Sequence, residues 1–390
     1  MELDEKTDAV DMDKVSKTNP TIAICALSMV SVLVFSLLPF IGGVLADEFG
    51  LSNSEIGLIA TSYFLPYAAI ALISPLWVNR FQWSHLRWAG LGLMLGGLSY
   101  LTAASSFNAA RVALLITALG AGILFPLVTS MAATMTEVDK IFAQKLAAEQ
   151  LVPAVLLIIF ILLMGAQVSL LVLGISLVAL IVLTTMLSRG LAIDRPSAGD
   201  NNGTKPKLEG RIVLALIALG INFAGFAGIW AFLERIGTQQ GLSDEFVTAW
   251  LSVGLITGGI GSLIGSAIAT NVNRSTAISW STALAVMCLG LLLGDISAVD
   301  YALTLSLLPL TFMFSIGFLM SSIAILDTRG ELVSLMPFVL AVGASAGPSV
   351  YAELTSESLP PVMVMAVLIT VGASLIVTLN RRAAKGVQTS

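Results

Sequence analysis

Twelve apolar runs, each long enough to cross a bilayer, follow one another with only short polar stretches between most of them. They fall at 21–45, 55–78, 87–105, 111–133, 144–165, 167–188, 211–233, 245–269, 276–294, 300–325, 331–352 and 359–380. A crossing helix needs about 20 mostly apolar residues. Lipid offers no water to satisfy peptide groups, so a crossing segment must bond its own backbone. That requirement leaves one fold class, an all-α polytopic membrane protein with twelve transmembrane helices. Composition agrees. Charged residues make up 11% of the chain, against about 25% in soluble domains.

The chain divides in two. Residues 191–210, within the polar stretch "RGLAIDRPSAGDNNGTKPKLEGR", read as a flexible linker. On either side lie six runs, giving bundles over 20–190 and 211–382. Residues 1–19 are polar, begin without a basic region and lack the apolar core of a cleavable export signal. They read as a disordered tail, and 383–390 as a short polar end. Lys and Arg set the orientation, because they gather on the cytoplasmic side. With the N-terminus inside, all 19 Lys and Arg except Arg111 and Arg235 fall inside. Both ends are therefore expected in the cytoplasm.

Three ordered echoes join the halves. "VNR" at 78–80 recurs at 272–274, "GLSN" at 50–53 recurs as "GLSD" at 241–244, and "QLVPAVL" at 150–156 answers "SLMPFVL" at 334–340. Offsets of similar size indicate a duplicated six-helix unit. Six spans per unit make the repeat parallel, about an axis along the membrane normal.

This layout resembles the major facilitator superfamily of secondary transporters, over residues 20 to 382. "SPLWVNRFQWSHLR" (74–87) is similar to the family's loop between spans 2 and 3. Ser74 stands for its glycine, Asn79 for its aspartate, and Arg80 and Arg87 for its basic residues. "GSAIATNVNR" (265–274) is the second copy, keeping Gly265 and Arg274, and "GASAGPS" (343–349) resembles the Gly-Pro motif. "GIWAFLERIG" (228–237) resembles the end of span 7 in bacterial drug/proton-antiporter-like members. The resemblance implies alternating access to a central cavity between spans 1, 4, 7 and 10. It implies a small organic substrate, export or uptake, in a bacterial inner membrane, by a monomer without cofactor. Asn79, Arg80 and Arg274 would hold the inner gate.

Ionisable groups within spans are costly and mark function. Glu149 lies about 7 Å along span 5 by helical rise, with Lys145 one turn earlier on the same face. Glu149 is the candidate carrier of a coupling proton, or else an interfacial partner of Lys145. Asp47 with Arg111, or Glu234 with Arg235, would latch the outer gate. Asn222, Phe226 and Trp230 recur every four residues on span 7. With Phe125 and Thr129 of span 4, Tyr63 and Tyr67 of span 2, and Phe314 and Phe318 of span 10, they suggest an amphipathic or aromatic substrate. No basic residue stands at mid-span, which argues against a dianion. Gly254, Gly258, Gly261 and Gly265, like Gly92 and Gly96, have the small-xxx-small spacing of close helix packing.

Other functions fit poorly. "GASAG" (343–347) matches G-x-S-x-G but lies in an apolar run, whereas a nucleophile elbow needs a strand-to-helix turn and a histidine. The single histidine, His85, belongs to a loop. H-E-x-x-H and phosphate-cradling motifs are absent, and no basic patch suggests nucleic acid.

Overall fold

The computed structural model describes residues 19–51, 53–164, 169–191, 209–327, 330, 332–354 and 360–388. Among them the regular structure is entirely helical: α1 (Pro20–Phe49), α2 (Asn53–Leu72), α3 (Ser74–Trp77), α4 (Trp83–Thr102), α5 (Phe107–Ala133), α6 (Val138–Met164), α7 (Leu170–Ser188), α8 (Gly210–Trp230), α9 (Leu233–Gln239), α10 (Asp244–Ile268), α11 (Arg274–Gly290), α12 (Ala298–Leu326), a 3-10 turn (Val333–Leu335), α13 (Met336–Leu354) and α14 (Pro361–Gln388). Each of the twelve apolar runs carries one long helix. Nine stretches among the described residues are long and apolar enough to cross a membrane. The expected tail 1–19, apart from Asn19, and most of the linker lie outside the described residues, as do Arg329 and Glu331. At the other end the helix continues to Gln388, past the expected polar end at 383.

Local chemistry sets the helix ends. Asn19 accepts from the Thr21 amide, with Pro20 at the first helical position. Ser106, Ser169, Ser243 and Ser297 cap α5, α7, α10 and α12. All four helices start at the face opposite the chain termini, as their even places among the twelve runs require. The second run is not helical in one piece. Pro75 lacks an N–H and its ring disrupts the preceding turn, so the long helix stops at Leu72 and the chain resumes as α3. The "GLS" echo has a backbone cause, since Gly50 and Gly241 both hold left-handed conformations, at φ 63° and 80°.

The helices before the linker pack on one another, and so do those after it. The halves meet where α6 packs on α10 and α12, where α2 meets α13, and where α5 meets the 3-10 turn. Gly254, Gly258 and Gly261 lie against α12 as their spacing suggests. Gly92 and Gly96 do not pack; a Cβ on either would meet nothing within 4 Å. The close contacts of α4 are made instead by Gly90 and Gly97, against Gly120 and Ala113 of α5. The G-x-S-x-G segment is also a packing feature. A Cβ on Gly343 would come within 2.7 Å of the Gly220 carbonyl, and one on Gly347 equally close to the Gly228 nitrogen.

Candidate functional site

Lys145 and Glu149 form an ion pair inside the N-terminal half. Lys145 Nζ lies 2.6 Å from Glu149 Oε1, and the two residues are 0% and 5% exposed. One helical turn separates them, so the side chains meet on one face of α6. Ser28 of α1 donates its hydroxyl to the same carboxylate oxygen. The ammonium also stands 4.5 Å from the centre of the Phe125 ring of α5 and 5.8 Å from that of Phe142. The buried cation thus meets a carboxylate of its own helix and an aromatic face of α5, while α1 supplies a hydroxyl to the same carboxylate. Pro153 lies one turn beyond, and its missing N–H leaves the Glu149 carbonyl without its helical donor.

Glu149 lies farther along its helix than the apolar run indicated. Helix α6 starts at Val138 rather than 144, because the polar first turn, including Asp139 and Lys140, is already helical. Glu149 is therefore eleven residues from the helix start, about 16 Å by helical rise. Lys145, read from the sequence as the residue one turn before Glu149 in span 5, is fully buried. Around this pair α2 presents Tyr63 stacked on Tyr67, with ring centres 6.2 Å apart, and Phe35 of α1 meets Phe64 and Tyr67. Thr129, fully buried, bonds back to the Phe125 carbonyl.

The C-terminal half holds a separate aromatic stack. Phe226 of α8 lies parallel to Phe312 of α12 with centres 3.9 Å apart, and Trp230 stacks on Phe226 at 5.8 Å. Phe314 and Phe318 pair further along α12, at 5.2 Å, where α12 adjoins α6 at Gly317 and Ala143. Asn222 does not join the stack. Its amide donates to the Ile369 carbonyl of α14 at 2.8 Å, it is 1% exposed, and its Oδ1 has no partner among the described residues. Each four-residue step overshoots a full helical turn by about 40°, so Asn222 is rotated about 80° from Trp230 and faces the neighbouring helix.

The halves are tied together at the face where the chain termini lie. Arg274 grips Asp139 with two contacts, Nε to Oδ1 at 2.8 Å and Nη2 to Oδ2 at 2.6 Å. Ser321 donates to the same carboxylate. Ser74 donates to the Ser334 carbonyl at 2.9 Å, and Asn79 to the Gly330 carbonyl at 3.0 Å. Arg80, assigned to this gate from the sequence, is exposed and has no described side-chain partner. Arg87 donates to the carbonyls of Ser188 and Leu191, closing the end of α7 within its own half. At the opposite face Arg111 donates to Ser62, not Asp47. Asp47, Glu234 and Arg235 are exposed, and none forms an ion pair among the described residues. Asp139 and Ser28 escaped the sequence reading. The available signal for Asp139 was an acid in the first turn of a helix, opposite a lone arginine one half-chain away.

A model of the Major Facilitator Superfamily matches residues 23–348. The chain belongs to the major facilitator superfamily. It is therefore a multi-pass membrane protein of a family of transporters. No curated protein matches the chain. Among solved structures, the superfamily transporter FucP in the outward conformation aligns with a TM-score of 0.75 at 15% identity, covering 93% of this chain and 98% of that one. A structure of the E. coli fucose:proton symporter FucP aligns at 0.71 and 16%, with the same coverage. The human organic anion transporter MFSD10 aligns at 0.75 and 14%, covering 92% and 98%. These likenesses establish the superfamily fold. Within it, Ser74 and Asn79 of the loop that resembles the family signature are the residues that bridge to the other half.

Proposed function

We propose that the protein is a proton-coupled secondary transporter of small organic molecules, working by alternating access. The observation that carries this reading is the buried Lys145–Glu149–Ser28 cluster. An ion pair out of water is held against a large desolvation cost, and adding one proton to its carboxylate changes its charge balance. Protonating Glu149 removes the partner of Lys145 and leaves a buried cation uncompensated. That imbalance drives either release of the proton or reorganisation of α1, α5 and α6 around the cluster.

The cavity lies between the halves in this reading. Phe226, Trp230, Phe314 and Phe318 furnish its C-terminal wall, with Asn222 holding α8 to α14 behind them. Phe125, Thr129, Tyr63 and Tyr67 furnish the N-terminal wall. Aromatic walls with few hydrogen-bonding groups suit an amphipathic or aromatic substrate. Residues 20–190 and 211–382 rock against each other, with both termini cytoplasmic in a bacterial inner membrane and the monomer as the working unit. The described state is then closed on the cytoplasmic side, supported by the Arg274–Asp139, Ser74–Ser334 and Asn79–Gly330 ties. The likeness to FucP in its outward conformation accords with this.

One observation favours a second reading of the substrate. Lys145 is a buried cation whose only charged partner among the described residues is Glu149. A carboxylate-bearing substrate could replace a protonated Glu149, carrying one proton with one anion. The likeness to an organic anion transporter accords with that class.

The test uses purified protein in proteoliposomes with a lumenal pH dye, and ligands first found by thermal shift against a library of drugs and organic acids. Ligand-evoked proton movement is expected in the wild type and is expected to vanish in Glu149→Gln while ligand-induced stabilisation persists. Full proton-driven accumulation by Glu149→Gln removes the coupling role. Stabilisation by acids alone selects the second reading.

A further inference from the structure

On the outer surface of the C-terminal half, α11 and α14 leave a groove of about 510 Å3 between them. Its walls carry Ser279 and Thr282 from α11, and Thr370, Ser374, Thr378 and Arg381 from α14. Past Val286 and Thr370 it continues into a second space of about 390 Å3, walled by Leu293, Met363, Val367 and other apolar side chains. The result is one channel along the bundle surface with a chemical gradient. A guanidinium and hydroxyls stand at the end near the chain terminus, and hydrocarbon follows.

Two details distinguish this groove from ordinary lipid-facing surface. Thr282 is 8% exposed, yet its Oγ1 has no hydrogen-bond partner among the described residues. A threonine in a helix commonly satisfies its hydroxyl on the preceding turn, as Thr370 and Thr378 do on Ala366 and Ser374. A buried hydroxyl without a partner is costly, and the Thr282 hydroxyl lines the groove. Arg381 forms no ion pair with any described carboxylate. It lies seven residues beyond Ser374 on the same helix face, about 10 Å by helical rise. The groove thus carries a guanidinium at one end and hydroxyls further along its walls.

We propose that this groove seats one anionic phospholipid. Its phosphate engages Arg381, whose planar fork matches two phosphate oxygens. An ester carbonyl accepts from Thr282, and an acyl chain lies along Val286, Val367 and Leu293. Basic clefts between membrane helices select anionic headgroups over zwitterionic ones, because no headgroup amine offsets the phosphate. The site is remote from the Lys145–Glu149 cluster and does not depend on the reading of transport.

Native mass spectrometry of the full-length protein in a neutral detergent tests this, comparing phosphatidylglycerol with phosphatidylcholine of identical acyl chains. The wild type is expected to retain phosphatidylglycerol about fivefold better, the attraction of one basic side chain for an anionic lipid. Arg381→Ala is expected to erase that preference. Arg382→Ala, about 100° round the helix, is expected to keep it, and Thr282→Val to lower retention of both lipids. Thermal midpoints in the same detergent confirm that each variant is folded. Equal retention of the two lipids by the wild type overturns the proposal. So does equal loss in Arg381→Ala and Arg382→Ala, which marks diffuse surface attraction, or unchanged retention in Thr282→Val. A protein dimer that excludes lipid also overturns it, assigning the groove to a second copy.

Discussion

Arg274 and Asp139 face each other across the seam between the halves, joined by two parallel contacts of 2.8 and 2.6 Å although 135 residues separate them. Arg274 opens α11 and Asp139 sits in the first turn of α6. The carboxylate therefore has three attractions: the guanidinium, the Ser321 hydroxyl and the positive end of its own helix. Both partners are mostly shielded, with side chains 27% and 17% exposed. The pair consequently escapes part of the solvent screening that weakens surface ion pairs.

If this pair holds the terminal face shut, Asp139→Arg and Arg274→Asp each open it, and the double exchange restores it. The readout is labelling of a cysteine placed at Ser74, buried at the seam, after Cys25 and Cys288 are replaced. Each single variant is expected to raise the labelling rate about fivefold to thirtyfold, equivalent to losing about 1–2 kcal/mol. The exchange is expected to return it to near the wild-type value. Unchanged labelling in both single variants counts against a gating role.

The Lys145–Glu149 pair makes a different prediction, about stability. Removing one member strands the other charge out of water, which costs about 3–5 kcal/mol, whereas removing both with apolar replacements is often neutral. Lys145→Met and Glu149→Leu are each expected to lower the thermal midpoint in detergent sharply. The double variant is expected to recover most of that loss. Additive losses would show that the two side chains contribute independently.

Glycine packing offers a third. Gly90 of α4 faces Leu124 and the Gly120 carbonyl of α5, and a Cβ at Gly90 would come within 2.6 Å of the Leu124 side chain, while one at Gly92 would meet open space. Gly90→Ala is expected to destabilise the N-terminal half. Gly92→Ala removes backbone freedom from the unfolded chain without a clash, and is expected to be neutral or stabilising by up to about 1 kcal/mol. Thermal unfolding of the two variants, expressed side by side, decides it; equal losses refute the packing argument.

The backbone was far more legible in the sequence than the site. Helix count and the parallel repeat follow from apolar length and the even number of spans in each half, whereas the left-handed turns at Gly50 and Gly241 behind the "GLS" echo are visible only in the backbone. Echoes of sequence did not guarantee echoes of role. Asn79 reaches across to Gly330, whereas Asn273 in the matching tripeptide caps α11 by accepting from the Ser275 and Thr276 amides. Gly92 and Gly96 have packing spacing but point away from any neighbour, because spacing defines a face without saying what lies against it. Ser28 could not be singled out among the small residues of α1. It gains meaning only through Glu149, 121 residues away.

Asn222 and Phe226 lie one turn apart on α8, and their neighbours predict opposite phenotypes. Asn222 holds α14 through the Ile369 carbonyl, and a Cβ on Gly372 would come within 2.6 Å of its own Cβ, so α14 covers it closely. Phe226 instead stacks between Phe312 and Trp230. Asn222→Ala is expected to cost about 1 kcal/mol, the scale of one interhelical hydrogen bond in a membrane, while leaving ligand affinity unchanged. Phe226→Ala removes a wall of the proposed cavity and is expected to weaken the library ligand about tenfold. Both are read from one titration, the thermal midpoint against ligand concentration, since a ligand of the folded state raises it by mass action. A parallel upward shift of the ligand-free and saturated curves is not expected for either variant. Weakened binding in Asn222→Ala with Phe226→Ala unaffected would move the substrate to the α8–α14 side of the bundle.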